Sequence, residues 1–178
     1  AHKRSAFYYN QKINCMPASG YLKIGDRVRN LSAGKTFGVL DWGRGNWTYT
    51  NRWYWASASG LVEERPLGFN LGYGFSDRSS ATENMLFFDG KAHKLDQVEF
   101  IVDPADYLKP WQVRSNDQRL ELEFIPSLDR NGDTNFGLIQ SRQHQVFGYY
   151  TGFALLDDGR RVEIDGLAGF AEDVYNRW

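Results

Sequence analysis

Apolar and polar residues alternate with a period of two along much of this chain, and no window sustains an i, i+3, i+4, i+7 apolar stripe. The pattern predicts strands rather than helices. In the run from Arg119 to Phe124, Leu120, Leu122 and Phe124 face one way and Glu121 and Glu123 the other. Val98, Phe100 and Val102 repeat the pattern, as do Val162 and Ile164, so each segment has one wet face. Asp89-Gly90 and Asp158-Gly159 supply residues that tolerate the positive φ of tight hairpins, and Asn116-Asp117 and Asn131-Gly132 add two further turn signals. Gly68, Gly72, Gly74, Gly148 and Gly152 fall within strand-like text, where bulges let a sheet coil on itself. The fold expected is all-β, an antiparallel meander closing into a barrel. The end, from Gly169 to Trp178, reads equally as a last strand or a short helix.

With 178 residues the chain suits a single domain. Lys and Arg number 21 against 22 Asp and Glu, which leaves no basic surplus for a nucleic-acid backbone or an anionic membrane face. One cysteine, Cys15, cannot form an internal disulfide. The three histidines, of which His2 and His93 read as exposed, are scattered in a way that disfavours a zinc site. Apolar runs such as Met85 to Phe88 are too short to span a bilayer. A cytoplasmic protein without metal or cofactor is expected. Aromatics, at 16%, are in excess, and there are six tryptophans, so something large and flat is packed or bound.

The densest text is Asp41-Trp42-Gly43-Arg44-Gly45-Asn46-Trp47 followed by residues 51–60. In a strand over 52–59, Trp53, Trp55, Ser57 and Ser59 share one face and Arg52, Tyr54, Ala56 and Ala58 the other. The first face suits a pocket with an aromatic wall and a few hydroxyls, or else its tryptophans plug the barrel. Arg44 and Arg52 act either as cation–π braces or, at Arg52, as a polarising group for a carbonyl or carboxylate. A second cluster, around Asn70, Tyr73, Glu83 and Asn84, sets polar groups beside apolar strand text, for turn capping or, at Glu83, for acid–base work. His144 is the histidine that adjoins a strand-like run.

Several familiar patterns fail. Gly34-Lys35-Thr36 lacks the first glycine of a phosphate loop, since Arg29 stands there. Ala56 replaces the first glycine of a nucleophile elbow at Ser57. Asp129, Asn131 and Asp133 start like a calcium loop, but Thr134 takes the glycine position, and the run reads as an Asx-rich turn.

Asp41-Trp42-Gly43-Arg44-Gly45, Arg52-Trp53-Tyr54-Trp55, Asn70-Leu71-Gly72-Tyr73-Gly74, Glu83-Asn84-Met85, Tyr107-Leu108-Lys109-Pro110-Trp111 and Gly169-Phe170-Ala171-Glu172 together resemble a bacterial family catalogued as domain of unknown function 2804. The resemblance covers essentially the whole chain. It implies a lipocalin-like (calycin-type) β-barrel that forms the C-terminal half of a two-barrel protein, with an N-terminal barrel half as a partner. More remotely, that family is similar to lipocalin-like carotenoid hydratases and related cyclases and isomerases of apolar substrates. Fold alone does not fix function. The expectation is therefore a pocket for a small apolar molecule, with His144, Glu83 and Tyr54 as candidate proton carriers. Trp42, Arg44, Trp47, Arg52, Trp53, Trp55, Ser57, Asn70, Tyr73 and Asn84 are the candidate ligand-binding residues. A non-catalytic binding barrel for a lipid-like ligand and a carbohydrate surface built on exposed tryptophans are the alternatives.

Overall fold

The computed structural model describes residues 6–75, 77, 79 and 81–177; His2 and Trp178 lie outside them. Period-two text becomes sheet throughout. Nine strands form one antiparallel sheet: β5 (Thr50–Val62), β6 (Arg65–Tyr73), β7 (Met85–Phe88), β8 (Lys91–Lys94), β9 (Val98–Ile101), β10 (Trp111–Ser115), β11 (Leu120–Asn135), β12 (Gln140–Leu155) and β13 (Arg161–Arg177). Two two-stranded ribbons precede it, β1 (Phe7–Pro17) with β4 (Phe37–Asn46) and β2 (Gly20–Ile24) with β3 (Arg27–Leu31). The described residues contain no helix long and apolar enough to cross a membrane.

The sheet order is β8-β7-β6-β5-β13-β12-β11-β10-β9. Each strand pairs with its sequence neighbour, except that the last, β13, returns to the first, β5, in register from Gly169 opposite Ala58 to Arg177 opposite Thr50. The two edges, β8 and β9, are consecutive in the chain and joined by residues 95–97. The sheet is thus an up-and-down barrel-like meander whose seam lies between β8 and β9. Asn84 stitches that seam: its Oδ1 accepts from Gly72 N–H at 2.7 Å and its Nδ2 donates to the Asp96 carbonyl at 2.7 Å. The Phe100 ring on β9 packs 5.8 Å from Tyr73 on β6, across the sheet.

The concave face is solid. Ala56, Ala58, Phe69, Leu71, Trp111, Val113, Leu122, Phe124, Val146, Tyr150 and Ile164 are all buried there. Phe69 meets Tyr150 edge-on at 4.9 Å, and Tyr150 tilts against Phe124 at 4.6 Å. The expected alternation holds in β11, where Leu120, Leu122 and Phe124 are buried and Glu121 and Glu123 exposed. Curvature is introduced at bulges, one between Tyr150 and Gly152. Gly152 has φ 142°, and a Cβ there would lie 2.1 Å from the Glu121 carbonyl oxygen, so glycine is required.

Three sequence expectations are corrected and one open reading is resolved. Asn131-Gly132 does not turn, and the Asp129 to Asp133 run is not an Asx-rich turn. Both lie inside β11, with Asn131 opposite His144 and Gly132 opposite Gln143. The ladder holds both segments extended, and the reversal falls at Phe136 to Ile139, where Gly137 has φ 78° and Phe136 N–H donates to the Ile139 carbonyl at 2.8 Å. The segment from Gly169 to Arg177 is strand, because the whole of it pairs with β5. In the turn after Asn116-Asp117 it is Gln118 that takes positive φ, at 60°. His93 is buried rather than exposed, since the loop after β12 covers it and its Nδ1 accepts from Asp157 N–H at 3.2 Å. The Asp89-Gly90 hairpin forms as expected, with φ 50° and 77°.

The body of β11 and its distal extension differ in what they bury. Leu122→Ala will lower unfolding free energy by about 2–5 kcal/mol, whereas Thr134→Ala on the exposed extension will change it by less than about 0.5 kcal/mol. Urea denaturation of the two variants measures both.

Candidate functional site

Because Tyr54, Ala56 and Ala58 of β5 face the core, Trp53, Trp55, Ser57 and Ser59 project from the convex face. That face is covered by the β1–β4 ribbon. On β1 the residues Tyr8, Asn10, Lys12 and Asn14 point toward the sheet, while Phe7 and Tyr9 are exposed on the other side. The ribbon is fastened by polar contacts. Asn14 Nδ2 donates to Ser57 Oγ at 2.7 Å and to the Phe69 carbonyl at 2.9 Å, and Cys15 N–H donates to Ser59 Oγ at 3.0 Å. A Cβ at Gly68 would stand 2.6 Å from Cys15 Sγ, so a glycine there lets the ribbon seat. The two serines therefore fasten the cover, and both also border a second cavity, of about 410 Å³, with Phe37, Val39, Phe147 and Phe170.

Toward the other end of the ribbon the two layers part, leaving a cavity of about 360 Å³. It lies within the size range of small-molecule sites. Its walls are Tyr8, Trp47, Trp53, Trp55 and Phe75, with Gly43 and the strand segment at Tyr54, and its polar groups are Lys12, Asp41, Glu83 and Glu172. The rings meet edge to face, with Phe75 at 4.6 Å from Tyr8, 5.2 Å from Trp47 and 5.1 Å from Trp53. Lys12 Nζ lies 3.0 Å from Asp41 Oδ1 and 3.8 Å from the centre of the Trp55 ring. Trp55 Nε1 donates to Asn70 Oδ1 at 2.7 Å, and Asn70 Nδ2 donates to the Glu83 carbonyl at 2.9 Å, which fixes the indole and the Glu83 backbone together.

Glu172 is the buried acid of this cavity, only 8% exposed. It sits opposite Trp55 in the β13–β5 register. Its Oε1 accepts from Gln145 Nε2 at 2.6 Å and its Oε2 from Trp53 Nε1 at 3.4 Å. Burial raises its pKa above the ordinary carboxylate value, and the Gln145 and Trp53 donors and the Lys12 charge only partly oppose that. Glu83 borders the same cavity, its Oε2 accepting from Asn10 Nδ2 at 2.9 Å. Tyr8 is pushed up to about 12, first by burial and then by the nearby Asp41 charge, and stays a neutral phenol.

A second polar network lies on the opposite face of the same strands. Arg52 Nη2 and Nε donate to Asp173 at 2.9 and 3.2 Å, Tyr107 OH donates to Asp173 Oδ2 at 2.7 Å, and Arg52 Nη2 donates to Tyr54 OH at 2.8 Å. Burial, followed by the Asp173 charge, raises the Tyr54 phenol, and burial and the Asp173 bond raise that of Tyr107. His144 stacks on Tyr107 at 3.7 Å with Nδ1 2.9 Å from Asp129 Oδ2.

The sequence candidates thus separate. Trp47, Trp53, Trp55 and Glu83 line the cavity, and Asn70 supports it. His144, Arg52, the Tyr54 ring and Tyr73 belong to the concave face, where Tyr54 packs on Tyr73 at 5.2 Å and on Phe100 at 5.8 Å. Trp42 and Arg44 project outward from the ribbon, Trp42 against Tyr9 and Arg44 above the same ring at 5.9 Å. Ser57 holds the ribbon and Asn84 the seam. Lys12, Asp41 and Glu172 are site residues that the sequence reading did not select. The Glu172 position was within reach of that reading, since it closes the Gly169 to Glu172 motif and returns opposite the tryptophan strand.

The family model described as "Domain of unknown function (DUF2804)" matches residues 1–178. No curated protein and no solved structure matches the chain.

The raised pKa of Glu172 fixes a sign for stability. Below the ordinary carboxylate range the group is protonated folded and unfolded, and contributes nothing. As pH rises through the raised value, the unfolded chain has released a proton that the folded chain still holds, and stability falls. Glu172→Gln removes this slope. The difference in unfolding free energy between variant and parent will move in favour of the variant as pH rises above the ordinary carboxylate range, as read from denaturant midpoints at each pH.

Proposed function

We propose that this chain, which belongs to the DUF2804 family, takes a small and largely apolar molecule into the cavity beneath its ribbon and acts on it by proton transfer from Glu172, as a hydratase, isomerase or cyclase does. The observation that carries the reading is a buried carboxyl group with raised pKa in a cavity whose other walls are mostly indole and phenyl faces. A carboxyl group whose burial favours its protonated form is suited to act as a general acid. The aromatic faces around it favour positive charge as it develops on a protonated carbon skeleton. Glu83, on the rim of the same cavity, is the candidate to take a proton back. The remote likeness to lipocalin-like hydratases forms part of this proposal and is supported by the antiparallel meander. In this reading the ligand sits on the convex face, because the concave face is packed with side chains.

A purely binding role for an apolar molecule gives no purpose to Glu172, a carboxyl group buried in the cavity and bonded only by the neutral donors Gln145 and Trp53. A carbohydrate surface would need several exposed, coplanar indoles. Trp42 is exposed, whereas Trp47 and Trp53 are half-buried and meet Phe75 edge-on.

Native mass spectrometry of the purified full chain, followed by extraction and chromatography, tests the proposal. A small molecule of few polar atoms will be found bound. Trp53→Ala will release it, and Glu172→Gln will retain it as a chromatographically distinct, unconverted species. A chain free of any small molecule, or one whose bound molecule is unaffected by both changes, overturns the reading.

A further inference from the structure

The balance of charge in the cavity goes one step beyond its shape. Among the described residues three carboxyl groups border it, Asp41, Glu83 and Glu172, against one cation, Lys12. Lys12 is already engaged: its ammonium pairs with Asp41 at 3.0 Å and lies on the Trp55 face at 3.8 Å. Glu172 takes its hydrogen bonds from neutral donors, Gln145 and Trp53. Glu83 has one hydrogen bond, from Asn10 to Oε2. Lys94, which feels the Glu83 charge, bonds the carbonyl oxygens of Thr82 and Asn84 and Thr82 Oγ1 rather than the carboxylate. Among the described residues the site therefore holds a carboxylate, Glu83, to which no cation is bonded, beside the electron-rich faces of Trp47, Trp53 and Phe75.

Carboxylate and aromatic faces together select a positively charged, weakly hydrated group. Lys12 on Trp55 demonstrates within the molecule that the cavity wall accepts an ammonium. We infer that the molecule taken up by the cavity is an organic cation, an alkylated ammonium on an apolar body, with Glu83 as its counter-ion and the indoles of Trp47 and Trp53 against its N-alkyl groups. This deepens the function proposed above and rests on it, since it names the class of molecule that the same cavity receives.

Choline and 3,3-dimethyl-1-butanol, which have the same shape and differ in charge, separate the two ideas. Each is titrated into the full chain while tryptophan fluorescence is followed. Choline will bind at least about tenfold more tightly than the neutral alcohol, the size of a desolvated cation–π contact. Glu83→Gln, which keeps an oxygen for Asn10, will weaken choline about tenfold, leave the alcohol unchanged and leave the melting temperature within a degree or so of the parent. Equal binding of choline and the alcohol overturns the inference and leaves the apolar cavity standing. Binding of neither overturns both. Choline preference that survives Glu83→Gln removes Glu83 as the counter-ion and overturns the inference in that form.

Discussion

The parity of β5 governs this structure. A strand sends successive side chains to opposite faces, so a segment reading Arg52, Trp53, Tyr54, Trp55, Ala56, Ser57, Ala58, Ser59 must divide into two sets. Ala56 and Ala58 are small, which lets Phe69 and Tyr150 meet inside the curled sheet. The tryptophans and serines are then forced outward, as a convex surface of two indoles and two hydroxyls in the middle of a nine-stranded sheet. Leaving such a surface in water would forgo the burial of some of the largest apolar groups in the chain. The β1–β4 ribbon is the element that covers it.

How the ribbon is held explains why a cavity exists at all. Apolar packing alone would draw the two layers together along their length. Instead Asn14 and Cys15 bond Ser57 and Ser59 at one end, and at the other Trp47, Trp53 and Phe75 stand between the layers, meeting edge to face. Space is left at both ends, about 410 Å³ beside the serines and about 360 Å³ among the tryptophans. The acid Glu172 stands at the tryptophan end, where it is buried and still faces a void.

The class of fold was legible because period two is a direct consequence of strand geometry, and the β11 alternation, the Asp89-Gly90 hairpin and the aromatic wall of Trp53 and Trp55 followed from it. Long-range pairing was not legible. Asn131-Gly132 has the local chemistry of a turn, but sixteen-residue strands in mutual register overrode it. His93 read as surface because its strand, Lys91-Ala92-His93-Lys94, is polar; a loop more than sixty residues later in the chain buries it. The two faces of the 52–59 segment were separable in sequence, yet which one faced the core was not. That choice depended on the ribbon from residues 7–17 and 37–46 arriving to cover the tryptophans. Lys12 and Asp41, opposite each other in that ribbon, join the site for the same reason.

Adjacent residues of β13 carry this logic to the chemistry. Glu172 and Asp173 are neighbours in the chain and point to opposite faces. Glu172 belongs to the cavity with Trp53 and Gln145, the buried Asp173 to the network of Arg52, Tyr54 and Tyr107. The same division separates Gln145 from His144 on β12. His144 and Glu172, though one strand apart, therefore have the sheet between them, and no hydrogen-bonded path within a single face joins the imidazole to the acid. On the face of Glu172 the titratable neighbours are instead Lys12, Asp41 and Glu83, with the Tyr8 phenol kept neutral by its burial and by Asp41. The network around Asp173 ties Arg52 of β5 to β13 across the concave face, and those two strands hold Trp53 and Glu172 in register on the other.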